Sequence, residues 1–382
     1  MKPLLVIAGE DSGDLHGAEI LRELKARRPD LRCVGVGGSR MEPYLDRKLG
    51  DVRDLAVLGF VEVIRHLPAL RRLFRAILAA AAEEEVAGAL LIDYPGFNLR
   101  LARALRRARP GIRLHQFVCP QVWAWKAGRI PELGRLLDTL YCLFDFEPRL
   151  FQGYPVEAIW VGNPLVETVA PEVDRATFFR QAGLDPGRPL VALLPGSRAG
   201  ELSRLMPPLA RLVEAWQALP ERRNVQWVLP IAPTIEEAAV AAHLGSVPVR
   251  LVRGLGYAAR AYADAALVCS GTATLETALL NTPFAILYKL NPLTLWAARR
   301  WVKIPHFGLA NVVAGTQVVP ELLQEEVNPD RLGRELAALL DPAVADRIRT
   351  NLAALRAHLG PPGAAGRVAE HCLRRHTGAY GV

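Results

Sequence analysis

Five short stretches of this chain carry side chains that can do chemistry, and each one follows an apolar run. The first, Ala8-Gly9-Glu10-Asp11-Ser12-Gly13-Asp14, crowds three carboxylates into five residues. Gly9 and Gly13 permit a tight turn, and Ser12 or Asp14 can cap the helix that follows. Capping alone does not require three acids, so this loop also offers carboxylates for proton transfer or for holding hydroxyl groups. Ser12 has no Asp-His partnership in the sequence that would make it a nucleophile. The second stretch ends the run Ala89–Ile92 on Asp93. A carboxylate at the mouth of a buried strand has its pKa raised and suits general-base work. Capping the turn before Pro95 is the alternative for Asp93, and Asn98 reads as an N-cap. The third, Val118–Lys126, places Trp123, Trp125 and Lys126 in one loop. Such aromatics either pack or lie against a sugar or an acyl chain.

The two remaining stretches lie in the second half. Leu193–Glu201 follows an apolar run and opens a helix. Backbone N–H groups at such a helix start, with Ser197 and Arg198, form an anion site suited to a diphosphate. It is neither a Walker loop nor GxGxxG, because the spacing and the Lys-Ser/Thr pair are missing. Ser270-Gly271-Thr272-Ala273-Thr274-Leu275-Glu276 is a second small-residue helix start. Its Glu276 can accept from ribose hydroxyls. Two phosphate-friendly helix starts in one domain point to a nucleoside diphosphate bound there.

Positioning these loops requires strands that end on one edge. Short apolar runs alternate with helical periods, the pattern of parallel strands covered on both faces. In the first half the runs are Leu4–Ala8, Cys33–Val36, Gly88–Ile92, Leu114–Val118, Thr139–Leu143 and Ala158–Val161. The intervening helices read as Gly17–Arg27, Pro68–Glu84 and Arg100–Arg109. A second series runs through Leu190–Leu194, Val225–Pro230, Val249–Leu251, Ala265–Cys269 and Phe284–Tyr288. The expected fold is α/β, with two Rossmann-like doubly wound domains facing each other across a cleft. The expected divisions are a domain over 1–165, a linker over 166–187, a second domain over 188–341 and a helical tail over 342–382. Ligands of such sheets bind beyond the carboxyl ends of the strands.

Composition narrows the class. The chain has 382 residues with 47 Lys+Arg against 39 Asp+Glu, a net charge of +8, and 51% hydrophobic against 23% charged residues, which excludes disorder and a coiled coil. The basic residues are spread along amphipathic helices, and no aromatic-interleaved basic platform for nucleic acid is present. Cys33, Cys119, Cys142, Cys269 and Cys372 lie far apart without a CxxC, so neither a disulfide framework nor a zinc knuckle is expected. His371, Cys372 and His376 lack a second ligand group. The longest stretch free of charged residues, Ile304–Pro320, is broken by Pro305, Gly308 and Gly315 and falls short of a membrane span. The amino end passes into acidic residues too soon for a signal peptide. A soluble protein is expected.

The segments AGEDSGD, GVGG, LAVLGFVEV, IDYPGFN, PQVWAW, LPGSRAGE, SGTATLE and NVVAG…VVPELLQEE occur in this order from Leu5 to about Glu326. Together they resemble the lipid-A-disaccharide synthase family, bacterial transferases with the GT-B two-domain fold. The resemblance implies transfer of a diacylated glucosamine from UDP to the 6-hydroxyl of a diacylglucosamine 1-phosphate. It implies a β-1′,6 link, and no metal and no cofactor. It places Asp93, Glu10 and Arg198 in catalysis. Ser12, Gly13, Ser197, Glu201, Ser270, Gly271, Thr272, Ala273, Thr274, Glu276 and Asn311 would hold substrate or UDP. Trp123, Trp125 and Phe60 would meet the acceptor lipid. Gly96 stands where many members carry a second Asp, and Asn163 where a His is common.

The implied partners are UDP-diacylglucosamine, diacylglucosamine 1-phosphate and the membrane, with no nucleic acid and with a homo-oligomer left open. The place would be the cytoplasm, peripherally on the cytoplasmic face of the inner membrane. Ala56–Ala80, which mixes apolar residues with Arg65, Arg71, Arg72 and Arg75, is either the docking helix or a core helix with a solvated face. Another UDP-N-acetylglucosamine enzyme of the same fold (a peptidoglycan transferase or a 2-epimerase) would share the donor half but lack PQVWAW and IDYPGFN. A non-catalytic lipid-binding relic is the reading from a different class.

Overall fold

The computed structural model describes residues 2–55, 60–125, 127–291 and 305–377, except the side chains of 60–67 and of Trp125. The chain forms two compact units, Met1–Pro164 with Gly360–Val382, and Leu165–Leu359. Each is built on one sheet whose pairings are all parallel.

In the first unit the strands are β1 (Leu4–Ala8), β2 (Cys33–Val36), β3 (Arg47–Gly50), β4 (Gly88–Ile92), β5 (Arg113–Phe117), β6 (Thr139–Cys142) and β7 (Glu157–Trp160). Their spatial order is β3-β2-β1-β4-β5-β6-β7. Every residue of β1 and β4 is buried, so these strands read as unbroken apolar runs without alternation. The two faces of the sheet are nevertheless distinct. Leu5, Ile7 and Leu91 enter one core with Leu73, Ile77 and Leu101, and Leu4, Val6 and Ile92 enter the other with Ile20, Leu21 and Leu24. Val368, Ala369 and Cys372 of the helix Ala364–Thr377 also fill that second core.

The second unit holds β8 (Leu190–Leu194), β9 (Gln226–Pro230), β10 (Val249–Val252), β11 (Ala265–Cys269), β12 (Phe284–Tyr288) and β13 (Glu321–Leu323), in the order β10-β9-β8-β11-β12-β13. That is the 3-2-1-4-5-6 order of a dinucleotide-binding sheet. The order reverses between β1 and β4 in one unit and between β8 and β11 in the other. The loops with candidate chemistry leave these strands.

Three expectations differ from the structure. Residues 166–187 are not a linker: they include the helix Arg175–Ala182, whose Phe178 and Phe179 are buried in the second unit. The tail is not a separate piece, since Pro342–Leu355 stays with the second unit and Gly360 onward joins the first. Helices also begin earlier than the apolar period suggests, at Asp11, Phe60 and Pro95.

Candidate active site

β1 and β4 pair with Ala8 opposite Ile92, so the loops carrying Glu10 and Asp93 leave the sheet side by side. Glu10 is exposed and stands at the extended N-cap position of the helix Asp11–Arg27, without a side-chain cap. Ser12 is exposed in the first turn and Gly13 is buried against the β1–β4 edge. Neither Ser12 nor Asp14 caps this helix, because both lie inside it. Asp14 is 2% exposed and accepts from the N–H groups of Gly38 (2.6 Å), Arg40 (3.1 Å) and Met41 (3.1 Å). This acid is used up in folding the loop after β2.

Asp93 is held differently. It and Tyr94 both occupy the left-handed region, at φ +49° and +44°. For non-glycine residues this costs about 1–2 kcal/mol each and must be imposed by surroundings. Two fully buried amides impose it: Asn98 Nδ2 donates to the Asp93 carbonyl at 2.8 Å, and Gln116 Nε2 does so at 3.1 Å. Asn98 also donates to the carbonyl of Ile92 at 3.2 Å, and it lies inside the helix Pro95–Ala108, so it is a strand-end clamp and not an N-cap. Tyr94 hydroxyl donates to the carbonyl of Leu55 at 2.9 Å, and its ring occupies the space a Cβ at Gly9 would need. Burial raises the pKa of the half-buried Asp93 carboxyl, opposed by the Tyr94 N–H and by the charge of His16. His16, which the motifs did not single out, sits edge-on to Phe117 at 5.8 Å.

The loop after β5 is anchored by another residue that the motifs missed. Trp123 Nε1 donates to Glu147 Oε1 at 3.2 Å, and Glu147 Oε2 accepts from the N–H groups of Leu143 (2.9 Å) and Phe144 (3.1 Å). Glu147 is 1% exposed, and burial pushes its carboxyl up to about 7. Cys119 and Cys142 lie beside it, the one group of three metal-capable side chains among the described residues. With both carboxylate oxygens taken by N–H donors, this cluster is a polar core contact. Within FDFE nothing distinguishes Glu147 from a solvated acid; only the fold reveals it. The side chains of Phe60 and Trp125, and residues 56–59 and Lys126, lie outside the described residues. On the described half of the helix Phe60–Glu83, Leu73 and Ile77 face the core while Arg71, Arg72 and Arg75 are exposed.

In the second unit, β8 and β11 pair with Leu194 opposite Val268, which sets the other two loops side by side. The N–H groups of Ser197 and Arg198, the expected anion cradle, donate to Glu201 Oε2 at 3.0 and 3.3 Å. Arg198 Nη1 reaches Glu201 Oε1 at 3.4 Å with its side chain 79% exposed. Gly196 permits this with φ +114°, and a Cβ there would overlap Glu201. Glu201 therefore fills the cradle as an internal anion. Past β11, Gly271, Thr272 and Ala273 are at least partly exposed, and Ser270 hydroxyl donates to the carbonyl of Phe307 at 3.0 Å. Thr274 is fully buried and its hydroxyl closes the turn onto the carbonyl of Gly271 at 2.8 Å. Glu276 is ion-paired with Arg260 at 2.7 Å.

Asn311 does not present itself to a ligand. It is fully buried, its Nδ2 donates to Val319 O and Glu321 Oε1, and its Oδ1 accepts from the N–H groups of Val318 and Val319, all at 2.8–3.0 Å. An amide with all its bonds made is a turn clamp.

Two doubly wound units with acid-bearing loops in one and helix-start loops in the other define a GT-B-type glycosyltransferase fold. Solved structures agree: a UDP-N-acetylglucosamine 2-epimerase from Listeria monocytogenes, described as putative, superposes with TM-score 0.65 at 15% identity, covering 100% of this chain and 98% of its own. The glycotransferase of kitacinnamycin gives 0.62 at 19% identity, covering 98% and 100%. At these identities the likeness speaks for the fold. A sequence profile of the lipid-A-disaccharide synthetase family matches residues 4–355. The lipid-A-disaccharide synthase of Myxococcus xanthus is 40% identical over 375 residues, covering 97% of this chain and 96% of the relative. That of Geobacter sulfurreducens is 38% identical over 370 residues, covering 96% and 95%. The chain belongs to the lipid-A-disaccharide synthase family, glycosyltransferases of lipid A biosynthesis. The family's substrates are a lipid-linked sugar nucleotide and a lipid acceptor, and among the described residues no helix is long and apolar enough to cross a membrane.

Proposed function

We propose that the enzyme joins UDP-2,3-diacylglucosamine to 2,3-diacylglucosamine 1-phosphate, releasing UDP and inverting the anomeric centre without a metal. The acceptor 6-hydroxyl oxygen bonds to the donor C1, the C1–O bond to UDP breaks, and the hydroxyl proton goes to Asp93. The first unit takes the acceptor and its lipid, with Glu10, Trp123, Trp125 and Phe60 beside it. The second holds UDP through Arg198, Ser197, Ser270–Ala273 and Glu276, and the diphosphate replaces the carboxylate of Glu201 in the cradle. Thr274 and Asn311 support these loops from below. Docking is peripheral, on the cytoplasmic face of the inner membrane, through the exposed arginines of Phe60–Glu83.

The observation that carries this reading is Asp93: a carboxylate clamped at a strand end, in a strained backbone, with its pKa raised by burial. A base of raised pKa is matched to removing a hydroxyl proton near neutral pH. The test is an assay of the full-length enzyme with both lipid substrates. Disaccharide 1-phosphate in a β-1′,6 link should form one-for-one with UDP, undiminished by a chelator. Turnover of UDP-N-acetylglucosamine to its 2-epimer, with no disaccharide formed, would refute it.

A further inference from the structure

The Glu276 carboxylate is gripped from two sides. Arg260 Nη1 donates to Oε2 at 2.7 Å, and Tyr257 hydroxyl donates to Oε1 at 3.1 Å. Both donors sit on the short helix Gly256–Ala261 and are themselves fixed. Arg260 is 7% exposed, its Nε donates to the carbonyl of Gly256 at 3.0 Å, and its guanidinium lies 4.7 Å from the Tyr257 ring centroid. The carbonyl of Arg260 accepts from Thr282 hydroxyl at 2.7 Å. At the head of that helix the N–H groups of Tyr257 and Ala258 donate to the two oxygens of Glu172, at 2.9 and 2.8 Å. The chain of contacts from Glu172 through the helix to Glu276 has no loose member.

A buried arginine–carboxylate pair is an expensive way to stabilise a fold, since apolar residues of the same size often do as well. What it does provide is orientation. A carboxylate accepts up to about four hydrogen bonds, and each oxygen of Glu276 has one from this pair. Its side chain retains 19% exposure, on the helix Thr272–Leu279 that starts just past β11. Two oxygens fixed in a plane, each with an accepting direction to spare, match two adjacent hydroxyls.

We propose that Arg260 and Tyr257 are positioning residues that aim Glu276 at the vicinal hydroxyls of the donor's ribose, so that this pair gives the second unit its preference for a ribonucleotide. The proposal rests on the reading of that unit as the UDP site. It adds the two residues that set the geometry of the contact.

Calorimetry on the full-length protein with UDP and with 2′,3′-dideoxy-UDP tests it. The native chain should prefer UDP by about 10–100-fold, the range for hydrogen bonds to a charged group. Glu276→Gln and Arg260→Met should each bring that ratio near one through weaker UDP binding, with dideoxy-UDP affinity unchanged. Arg260→Lys should retain part of the preference. Tyr257→Phe, which keeps the ring under the guanidinium, should lower it severalfold and serves if Arg260→Met fails to fold. If Glu276→Gln abolishes the preference while Arg260→Met and Tyr257→Phe keep it, the positioning role is wrong and the UDP site stands. Equal loss of both ligands in the Arg260 and Tyr257 variants marks a merely structural role and overturns the proposal. A native chain that binds neither nucleotide overturns the UDP reading, and the proposal with it.

Discussion

The β4 end of the first unit and the β8 end of the second offer a carboxylate and a guanidinium by opposite means. Asp93 is half-buried and gripped through its backbone by Asn98 and Gln116 in a strained conformation. Arg198 is mostly exposed and, among the described residues, its side chain meets only the nearby Glu201, at 3.4 Å. The first arrangement fixes a group before any ligand arrives, which suits a proton acceptor whose reach must be right to a fraction of an ångström. The second leaves a long cation free to follow a charged ligand and relies on charge more than on placement. On the proposed reading, one end serves a reaction step and the other capture.

The largest expected effect separates these roles. Asp93→Asn keeps shape and removes basicity, so kcat should fall about 10²–10⁴-fold while UDP affinity hardly moves. The native pH–rate profile should lose activity on the acid side above the ordinary carboxylate range, because burial raises Asp93. Should Glu10→Gln abolish turnover while Asp93→Asn keeps most of it, the base belongs to the β1 loop. Next is stability. Glu147 titrates at about 7 folded against 4.5 as a free group, so its contribution is fully present below about 4.5 and lost as pH rises through 7. That change is on the order of 3 kcal/mol. Urea midpoints measured from pH 4.5 to 7.5 should lose this slope in Glu147→Gln, and an unchanged slope would place the titration elsewhere. Arg198→Ala should weaken UDP by about 1.5–3 kcal/mol in calorimetry with kcat at saturation much less affected. A loss of kcat alone would erase the contrast drawn above. Smallest is membrane attachment through Arg71, Arg72 and Arg75. Co-sedimentation with anionic liposomes should drop between low and high salt, since screening acts over about 10 Å at 0.1 M. Equal binding to neutral liposomes at both salts would remove the electrostatic part.

Strands buried on both faces announce themselves as apolar runs, and β1, β4, β8, β11 and β12 sit where those runs predict. β3 and β13 escaped because they are short edge strands, half-buried and polar enough to pass for loop, as in Arg47–Gly50. At the site, loop position was readable and side-chain duty was not. Asp14, Thr274 and Asn311 look like ligand contacts in a sequence, yet their polar atoms are committed to the protein's own backbone or turns. Conversely Glu147 and Arg260 look like ordinary surface residues and turn out to be buried anchors. Whether a polar atom faces a ligand or the chain itself depends on contacts made only in the fold: Arg260 lies on the helix before β11 and Glu276 on the helix after it, and folding brings the two together.

The return of Ala364–Thr377 to the first unit bears on how the chain is made. Ile20, Leu21 and Leu24 need Val368, Ala369 and Cys372 to cover them, and those residues are translated after the whole of the second unit. At about 5–20 residues per second, the roughly two hundred residues of Leu165–Leu359 take about 10–40 s to emerge first. During that interval the amino-terminal half exists with an apolar helix face open to water, while the second unit, uninterrupted in sequence, can finish alone. The unit that holds Asp93 is therefore completed only after the whole segment of the second has emerged.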